Sequence, residues 1–368
     1  MLLSTKTIKF VFVLTVVFCF IYIVLFKQHL ITTYHASGTL LSSSLYQPTN
    51  RAKQQMRTNV SFSYPLDLVF PYKYNFTLNA EDKCKHKSPF LVLLIETRPV
   101  EIVNRNTIRR TWANESLIKG ISILRLFLLG IPANIKSALQ AKIEEESVLF
   151  QDLIQQDFLD TYTNLTIKTM MGFEWVTNFC PNASYIMKTD SDMFINTKFL
   201  VEFLNPGKPV KPNYFTGKLL KRNFPSRNKT DKWYIPYELY ADKYFPPYCI
   251  GAGYIFSGDL AKKIYETAQV IKPLNLEDVF VGICLQKLGI NITVSSSLLF
   301  KKFKNDYNKC KYLNLIYVHG ITPEKLLQIW PDVLTAYEKC PRMRAYSTYN
   351  YTSIHRETNK LTNKKIHV

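Results

Sequence analysis

The chain has 368 residues, 47% of them hydrophobic and only 12 glycines and 18 prolines, so it can bury one large core, and disorder as its main state is excluded. Its formal charge of +19 suits nucleic acid, anionic membranes or phosphate-bearing ligands without choosing among them. Part of that charge is local, as at Lys218, Lys221 and Arg222 and in the terminal pair Lys364–Lys365.

From the N-terminus, Phe10 to Phe26 contains no charged residue, with Lys6 and Lys9 before it and Lys27 after it. As a helix it would be about 25 Å long, at the short end of what crosses a bilayer. A cleaved signal peptide would have a shorter apolar core followed at once by a small-x-small site. Here the run ends in Val24-Leu25-Phe26-Lys27 instead. The expected layout is a cytoplasmic tail over 1–9, a signal anchor over 10–26 and a lumenal remainder, with the N-terminal lysines setting the orientation. A span this short suits the thinner early secretory membranes.

Acceptor sequons at Asn59, Asn75, Asn114, Asn164, Asn182, Asn228, Asn291 and Asn350 agree with a lumenal chain. Cys19 lies in the apolar span, leaving Cys84, Cys180, Cys249, Cys284, Cys310 and Cys340. An even number suits disulfides in an oxidising compartment, with about fifteen pairings open. There is no Cys-x-x-Cys pair, which argues against zinc. A lumenal domain does not meet nucleic acid.

Residues 27–86 lack sustained periodicity and read as a stem. From Pro89 the texture changes. Phe90 to Ile95 is a continuous apolar run, expected as a strand buried on both faces. A helix is expected over Arg105 to Trp112, a strand over Ile121 to Leu129, a helix over Ile135 to Glu146 and a long helix over Leu165 to Phe179. Tyr185-Ile186-Met187 then forms a brief strand ending in charged residues. Alternating strands and helices predict an α/β domain over 87–340 with a mostly parallel sheet, whose ligands sit at the strands' carboxyl ends. Residues 341–368 form a polar, basic tail.

The densest chemistry lies in Lys188-Thr189-Asp190-Ser191-Asp192. Two carboxylates one residue apart, just beyond a buried strand, suit Mg²⁺ or Mn²⁺ and through it a diphosphate. A capped turn is the plainer reading. A phosphatase of the haloacid-dehalogenase type is a rival, disfavoured because Phe194 stands where that family has Thr or Val. Glu277 and Asp278 enter an apolar helix, where acidic residues either cap or supply a general base. His319 closes the apolar run from Leu315 to Val318, and Gly251 and Gly253 either admit a ligand to the backbone or make a turn.

Taken in order, these stretches resemble the β1,3-glycosyltransferase family, and its galactosyltransferases in particular. The matching positions are Arg105-x-x-Ile108-Arg109-Arg110-Thr111-Trp112, Phe127 to Gly130, Asp152 to Lys168, Lys188 to Asp192, Lys232-Trp233-Tyr234-x-Pro236, Tyr248 to Tyr254, Leu276 to Leu285 and His319. The resemblance implies a GT-A fold, Rossmann-like with an acceptor-binding half, in a type II Golgi membrane enzyme. It implies that Asp192 and His319 ligate Mn²⁺ (or Mg²⁺) with support from Asp190, and that Asp278 is the catalytic base. Arg105, Arg109, Asp190, Ser191, Gly251, Gly253 and Glu277 become donor-binding candidates. The implied donor is UDP-galactose and the acceptor a glycan ending in β-GlcNAc on a glycoprotein or glycolipid. Lys232-Trp233-Tyr234, Cys249 and Glu277 favour galactose, while N-acetylgalactosaminyl and N-acetylglucosaminyl relatives and a catalytically silent carbohydrate-binding scaffold are the alternatives. Ser191, Ile250, Ala113 and Gly320 depart from the commonest family letters. Homo-oligomerisation stays open.

Overall fold

The computed structural model describes residues 74–133, 138–302 and 307–340. The expected cytoplasmic tail, signal anchor and basic tail, and the expected stem up to residue 73, lie outside the described residues. No helix among the described residues is long and apolar enough to cross a membrane.

Among the described residues, ten strands form two sheets. The larger contains β1 (Phe76–Leu78), β2 (Leu91–Glu96), β3 (Ile123–Ile131), β4 (Leu153–Leu159), β5 (Tyr185–Asp190), β7 (Phe215–Leu220) and β8 (Tyr248–Ser257), in the order β1-β4-β3-β2-β5-β8-β7. The smaller is β6 (Met193–Ile195), β10 (Tyr317–His319) and β9 (Phe300–Lys302). The helices are α1 (Ile102–Arg110), α2 (Ala138–Phe150), α3 (Leu165–Phe179), α4 (Thr197–Leu204), α5 (Asp259–Ala268), α6 (Glu277–Lys287), α7 (Lys309–Tyr312) and α8 (Pro323–Lys339).

The continuous apolar run of β2 is explained by its central place, paired in parallel with β3 on one side and β5 on the other. Because side chains alternate across a strand, Val92 and Leu94 enter one core while Leu91, Leu93 and Ile95 enter the other. The first core is closed by Met170 and Phe173 of α3, Leu260 and Ile264 of α5 and Phe280 of α6. The second is closed by Ile108 of α1, Ile143 of α2, Leu200 of α4 and Ile329 of α8. The result is a sheet with helices on both faces.

The sheet is mixed rather than mostly parallel. β4-β3-β2-β5 is a parallel core, whereas β1 and β8 run antiparallel to their neighbours and β7 runs antiparallel to β8. A parallel pair needs a crossover, usually helical. The chain between β7 and β8 contains no helix, so β8 returns beside β7 in the opposite sense. The folded body also starts earlier than the expected boundary at residue 87. β1 pairs with β4, and the 3-10 turn Glu81–Cys84 carries a half-cystine.

Cys84 bonds Cys180, and Cys310 bonds Cys340, while Cys249 and Cys284 are free and buried. The first bond closes a loop of 96 residues that includes β2 to β4. Replacing both Cys84 and Cys180 by Ala should therefore cost about 2–5 kcal/mol of unfolding free energy, measurable by denaturant titration of residues 28–368. Folded residues 28–368, which lack Cys19, should show no fast-reacting thiol, and a rapid reaction at Cys249 or Cys284 would contradict their burial.

Candidate active site

In the parallel core the strand order reverses between β2 and β5, and ligands of α/β sheets bind at such a point, beyond the strands' carboxyl ends. Glu96 ends β2 directly opposite Asp190, which ends β5. Asp192 follows in the short link to β6. Strand β10 pairs antiparallel with β6 and sets His319 opposite Met193. The N–H groups of Gly320 and Ile321 donate to the Asp192 carbonyl at 2.9 and 2.8 Å, and Gly320 makes this turn at φ 85°, where a side chain would be strained.

These pairings bring one ligand-type atom each of Asp190, Asp192 and His319 within 4.8 Å of one another. Their side chains are 35%, 49% and 35% exposed, so the group opens to solvent. Two carboxylates and an imidazole suit Mn²⁺, and the carboxylates suit Mg²⁺. His319 Nε2 lies 3.3 Å from Asp192 Oδ2. That hydrogen bond holds the imidazole above its ordinary range, against the opposite pull of burial and with help from the Asp190 charge. Ser191 turns away from this group and donates to Glu101 Oε2 at 2.8 Å. Glu101 also accepts from the Arg98 N–H and Nε, so Ser191 pins the link onto the start of α1.

Beneath the acidic group lies Lys188, with a side chain 1% exposed. Its ammonium donates to Asp190 Oδ1 at 3.2 Å, Gly251 O at 2.9 Å and Glu277 Oε1 at 2.8 Å. An ammonium has three protons, so all are used. Glu96 Oε2 stands 2.9 Å from the same nitrogen as an ion pair yet has no hydrogen-bond donor. Burial alone would lower the lysine, but Asp190, Glu277 and Glu96 outweigh it and hold the proton firmly. One cation thus faces two buried glutamates. Burial pushes Glu277 up, Lys188 opposes, and Glu96 and Asp278 add to the rise.

Glu277 and Asp278 open α6 and face different surroundings. Glu277 points into the floor, against Lys188, the Tyr254 hydroxyl and Thr169, so it is not available to touch a bound donor. Asp278 is half-buried and accepts from the N–H of Gly251 at 3.1 Å and of Val279 at 2.8 Å. Burial raises its pKa, with these two N–H groups and Lys188 restraining the shift. Gly251 is required because a Cβ there would overlap Glu277 Oε1, and at Gly253 a Cβ would press on Tyr317 and Met187. Protein packing alone accounts for both glycines.

Arg105 and Arg109, donor-binding candidates by resemblance, are both engaged by protein partners. Arg105 spends five hydrogen bonds on Glu146 (2.8 and 2.6 Å), Thr97 Oγ1 and the carbonyls of Arg98 and Pro99, and a guanidinium has five N–H donors. Arg109 binds both oxygens of Asp152, Glu146 and Asn106, between the rings of Phe127 and Phe150. Arg105 thus has no N–H left for a diphosphate, and the Arg109 charge is already paired with Asp152 and Glu146. Arg105 instead braces the Thr97–Pro99 loop that follows β2.

Sequence reasoning passed over the rim. Tyr162 and Trp233 are 48% and 51% exposed, and the indole N–H donates to the phenol oxygen at 3.1 Å. Lys232 Nζ lies 4.6 Å from the Trp233 ring centre and 5.3 Å from that of Tyr162. Burial raises the Tyr162 phenol, the Trp233 hydrogen bond opposes it, and the charges of Asp278, Asp190 and Glu277 add to the rise, so the field of the acidic group reaches these rings. The signal available was Lys232-Trp233-Tyr234 itself, an aromatic pair next to a cation in a loop.

The fold and the acidic group together define an α/β protein with a group that could hold a metal ion where its strand order reverses. The chain belongs to the galactosyltransferase family, whose profile matches residues 103–295, from α1 to beyond Asp278 but short of His319. β-1,3-Galactosyltransferase 2 of Mus musculus and of Homo sapiens is 48% identical over 261 residues, 70% of this chain and 62% of theirs. The chain thus spans less than two thirds of the length of these relatives. β-1,3-Galactosyltransferase 1 of Mus musculus is 45% identical over 266 residues, 72% of this chain and 80% of its own. A crystal structure of a glycosyltransferase involved in glycosylation of the major capsid of PBCV-1 aligns with TM-score 0.37 and 10% identity over 67% of this chain and 100% of that one. So weak a likeness bears on neither fold nor function.

Arg105→Met separates a structural arginine from a donor-binding one. It leaves Glu146 with one cation fewer in a buried site, a loss of about 3–5 kcal/mol. The variant should unfold at lower denaturant while the folded fraction binds UDP as the parent does. Weakened UDP binding with unchanged stability would return Arg105 to the donor site.

Proposed function

We propose that the protein is an inverting β1,3-galactosyltransferase of GT-A fold. It moves galactose from UDP-galactose to the 3-hydroxyl of a terminal β-GlcNAc on a glycoprotein or glycolipid. The observation that carries this reading is the pairing of Asp190, Asp192 and His319 with Asp278, tied together through Lys188 and Gly251. The names of the relatives, β-1,3-galactosyltransferases 1 and 2, support the donor and the linkage. The same relationship, with the apolar run Phe10 to Phe26 and the sequons, supports a Golgi type II membrane protein facing the lumen.

Asp190, Asp192 and His319 would hold Mn²⁺ or Mg²⁺. When bound, the ion supplies positive charge for the diphosphate. Asp278 takes the proton from the acceptor 3-hydroxyl as that oxygen bonds to the anomeric carbon and UDP departs with the electron pair. Attack from the face opposite UDP turns an α-linked donor into a β product. The scheme needs one base and no nucleophile, and Asp278 is the one half-open carboxylate of the α6 start, with a raised proton affinity suited to the task. Glu277, sealed on Lys188, does not compete for the proton.

Residues 28–368 should transfer galactose to a β-GlcNAc acceptor with Mn²⁺, the linkage read by NMR. Transfer from UDP-GalNAc or UDP-GlcNAc instead would keep the chemistry and replace the donor, and no transfer at all would favour a silent carbohydrate-binding scaffold. Asp278→Asn should lose about 10²–10⁴-fold in kcat with UDP binding intact, and near-parental turnover would remove Asp278 as base.

The pH dependence follows from the direction of the Asp278 shift. The ionised form is the active one, so at saturating metal kcat should fall with acidification through a pKa above the ordinary Asp value of about 3.9. An acid limb at or below that value would contradict a desolvated base.

A further inference from the structure

Between β7 and β8 the chain runs from Lys221 to Pro247 with no helix or strand of its own, yet it is firmly tied. Arg227 donates to the carbonyls of Ile235, Tyr240 and Asp242, Ser226 bridges to Tyr234, and the Phe245 N–H donates to Asn223 O at 2.8 Å. Such a loop has no need of exposed rings to hold its shape. It nevertheless exposes Phe224, Trp233, Tyr237 and Tyr244, whereas Phe150 and Tyr162 are the only other aromatics as open among the described residues. Scattered apolar exposure is ordinary, but clustering in one segment marks a binding surface.

The charge of the segment is one-sided, six basic residues against three acidic. The Phe224 and Tyr244 rings lie 4.7 Å apart. Arg222 and Lys243 stand 6.0 and 5.5 Å from the Tyr244 ring centre, and neither has a carboxylate partner among the described residues. Arg222 takes a left-handed backbone, φ 57°, a conformation that costs a non-glycine residue about 1–2 kcal/mol. A cleft of about 200 Å³ opens here between Phe224, Tyr237, Arg227 and Lys243, and its lining contains no carboxylate.

Both ends of this surface adjoin the catalytic group. Trp233 is bonded to Tyr162. At the other end Asn223, between Arg222 and Phe224, donates to the Tyr248 hydroxyl at 2.8 Å. Tyr248 precedes Gly251 by three residues on β8, and the Gly251 N–H donates to the proposed base.

We infer that the Lys221–Pro247 connection is a second sugar subsite, which takes a carboxylate-bearing sugar of the same acceptor glycan whose GlcNAc end is in the catalytic site. Sugar rings present C–H faces that stack on Phe224 and Tyr237, and Arg222 and Lys243 meet the carboxylate with charge-assisted hydrogen bonds. The inference rests on the transfer reading for which end of the glycan is modified. Binding at the subsite is measurable without transfer.

The test uses residues 28–368 and three matched glycans ending in β-GlcNAc, whose second branch is neutral, sialylated or sulfated, each titrated by calorimetry and assayed for transfer. The sialylated glycan should bind about tenfold more tightly than the neutral one, as expected of charged contacts at a site's rim. The advantage should vanish at about 1 M salt, where the screening length is about 3 Å. It should also vanish in Arg222→Gln/Lys243→Gln and in Phe224→Ala/Tyr237→Ala, with turnover on a GlcNAc monosaccharide acceptor unchanged in both variants. Equal binding of sialylated and neutral glycans, or an advantage that survives the charge variant, would overturn the subsite. A gain for the sulfated glycan alone would overturn the carboxylate assignment, and salt-sensitive retention on anionic vesicles without glycan discrimination would make the patch a membrane surface. If no donor supports transfer while the sialylated glycan still binds more tightly, the transfer reading fails and the subsite stands.

Discussion

The three protons of Lys188 are the constraint on which the catalytic end of this molecule depends. One goes to Asp190 on β5, one to the Gly251 carbonyl on β8 and one to Glu277 at the start of α6. Three elements distant in sequence thereby share one buried ammonium. Such an arrangement is a poor source of net stability, because desolvating the charges costs about as much as pairing them returns. What it provides is position. Asp190 belongs to the metal-type group, while Gly251 and Val279, two residues after Glu277, donate the N–H groups that hold Asp278. A displacement of either half would have to break a buried charge pair.

The same scarcity of protons explains Glu96. Its Oε1 accepts from Thr169 at 2.6 Å, but Oε2 faces an ammonium that has none left. An under-satisfied buried oxygen is costly, and here it lies at the end of β2, at the point where the strand order reverses. The floor therefore holds more negative charge than its lysine balances, and the raised proton affinity of Glu277 shares that origin with burial, whereas that of Asp278 comes from burial.

Much of this was legible in the sequence, and the failures have a common form. The all-apolar run at β2, the long α3 and the acidic turn after β5 stand out locally, because each pattern is contained in a few consecutive residues. β7 and β8 pass unnoticed among aromatics and glycines, and β1 hides in what reads as a stem because a three-residue strand has no period to detect. Arg105 and Arg109 show the limit of motif reading. A motif marks positions that matter, and cations near a diphosphate site suggest ligand contacts. Their five-donor and bidentate pairings with Glu146 and Asp152 depend on α2 and β4, which no local pattern connects to α1. Asp192 and His319 could be named from sequence, but their meeting rests on the antiparallel register of β6 and β10.

The letters that favour galactose in the sequence acquire a different meaning from this geometry. Cys249 and Glu277 are buried, so neither can discriminate a sugar by contact. Glu277 reaches Lys188 with its full length, and it does so through space that a Cβ at residue 251 would fill. A glycine on β8 and a glutamate on α6 are thus one packing unit, and an aspartate at 277 would leave a gap of one methylene below Asp190 and beside Asp278. The Cys-x-Gly-x-Gly-Tyr and Leu-Glu-Asp-Val stretches are best understood as a matched floor, whose influence on the sugar acts through where it sets Asp190 and Asp278.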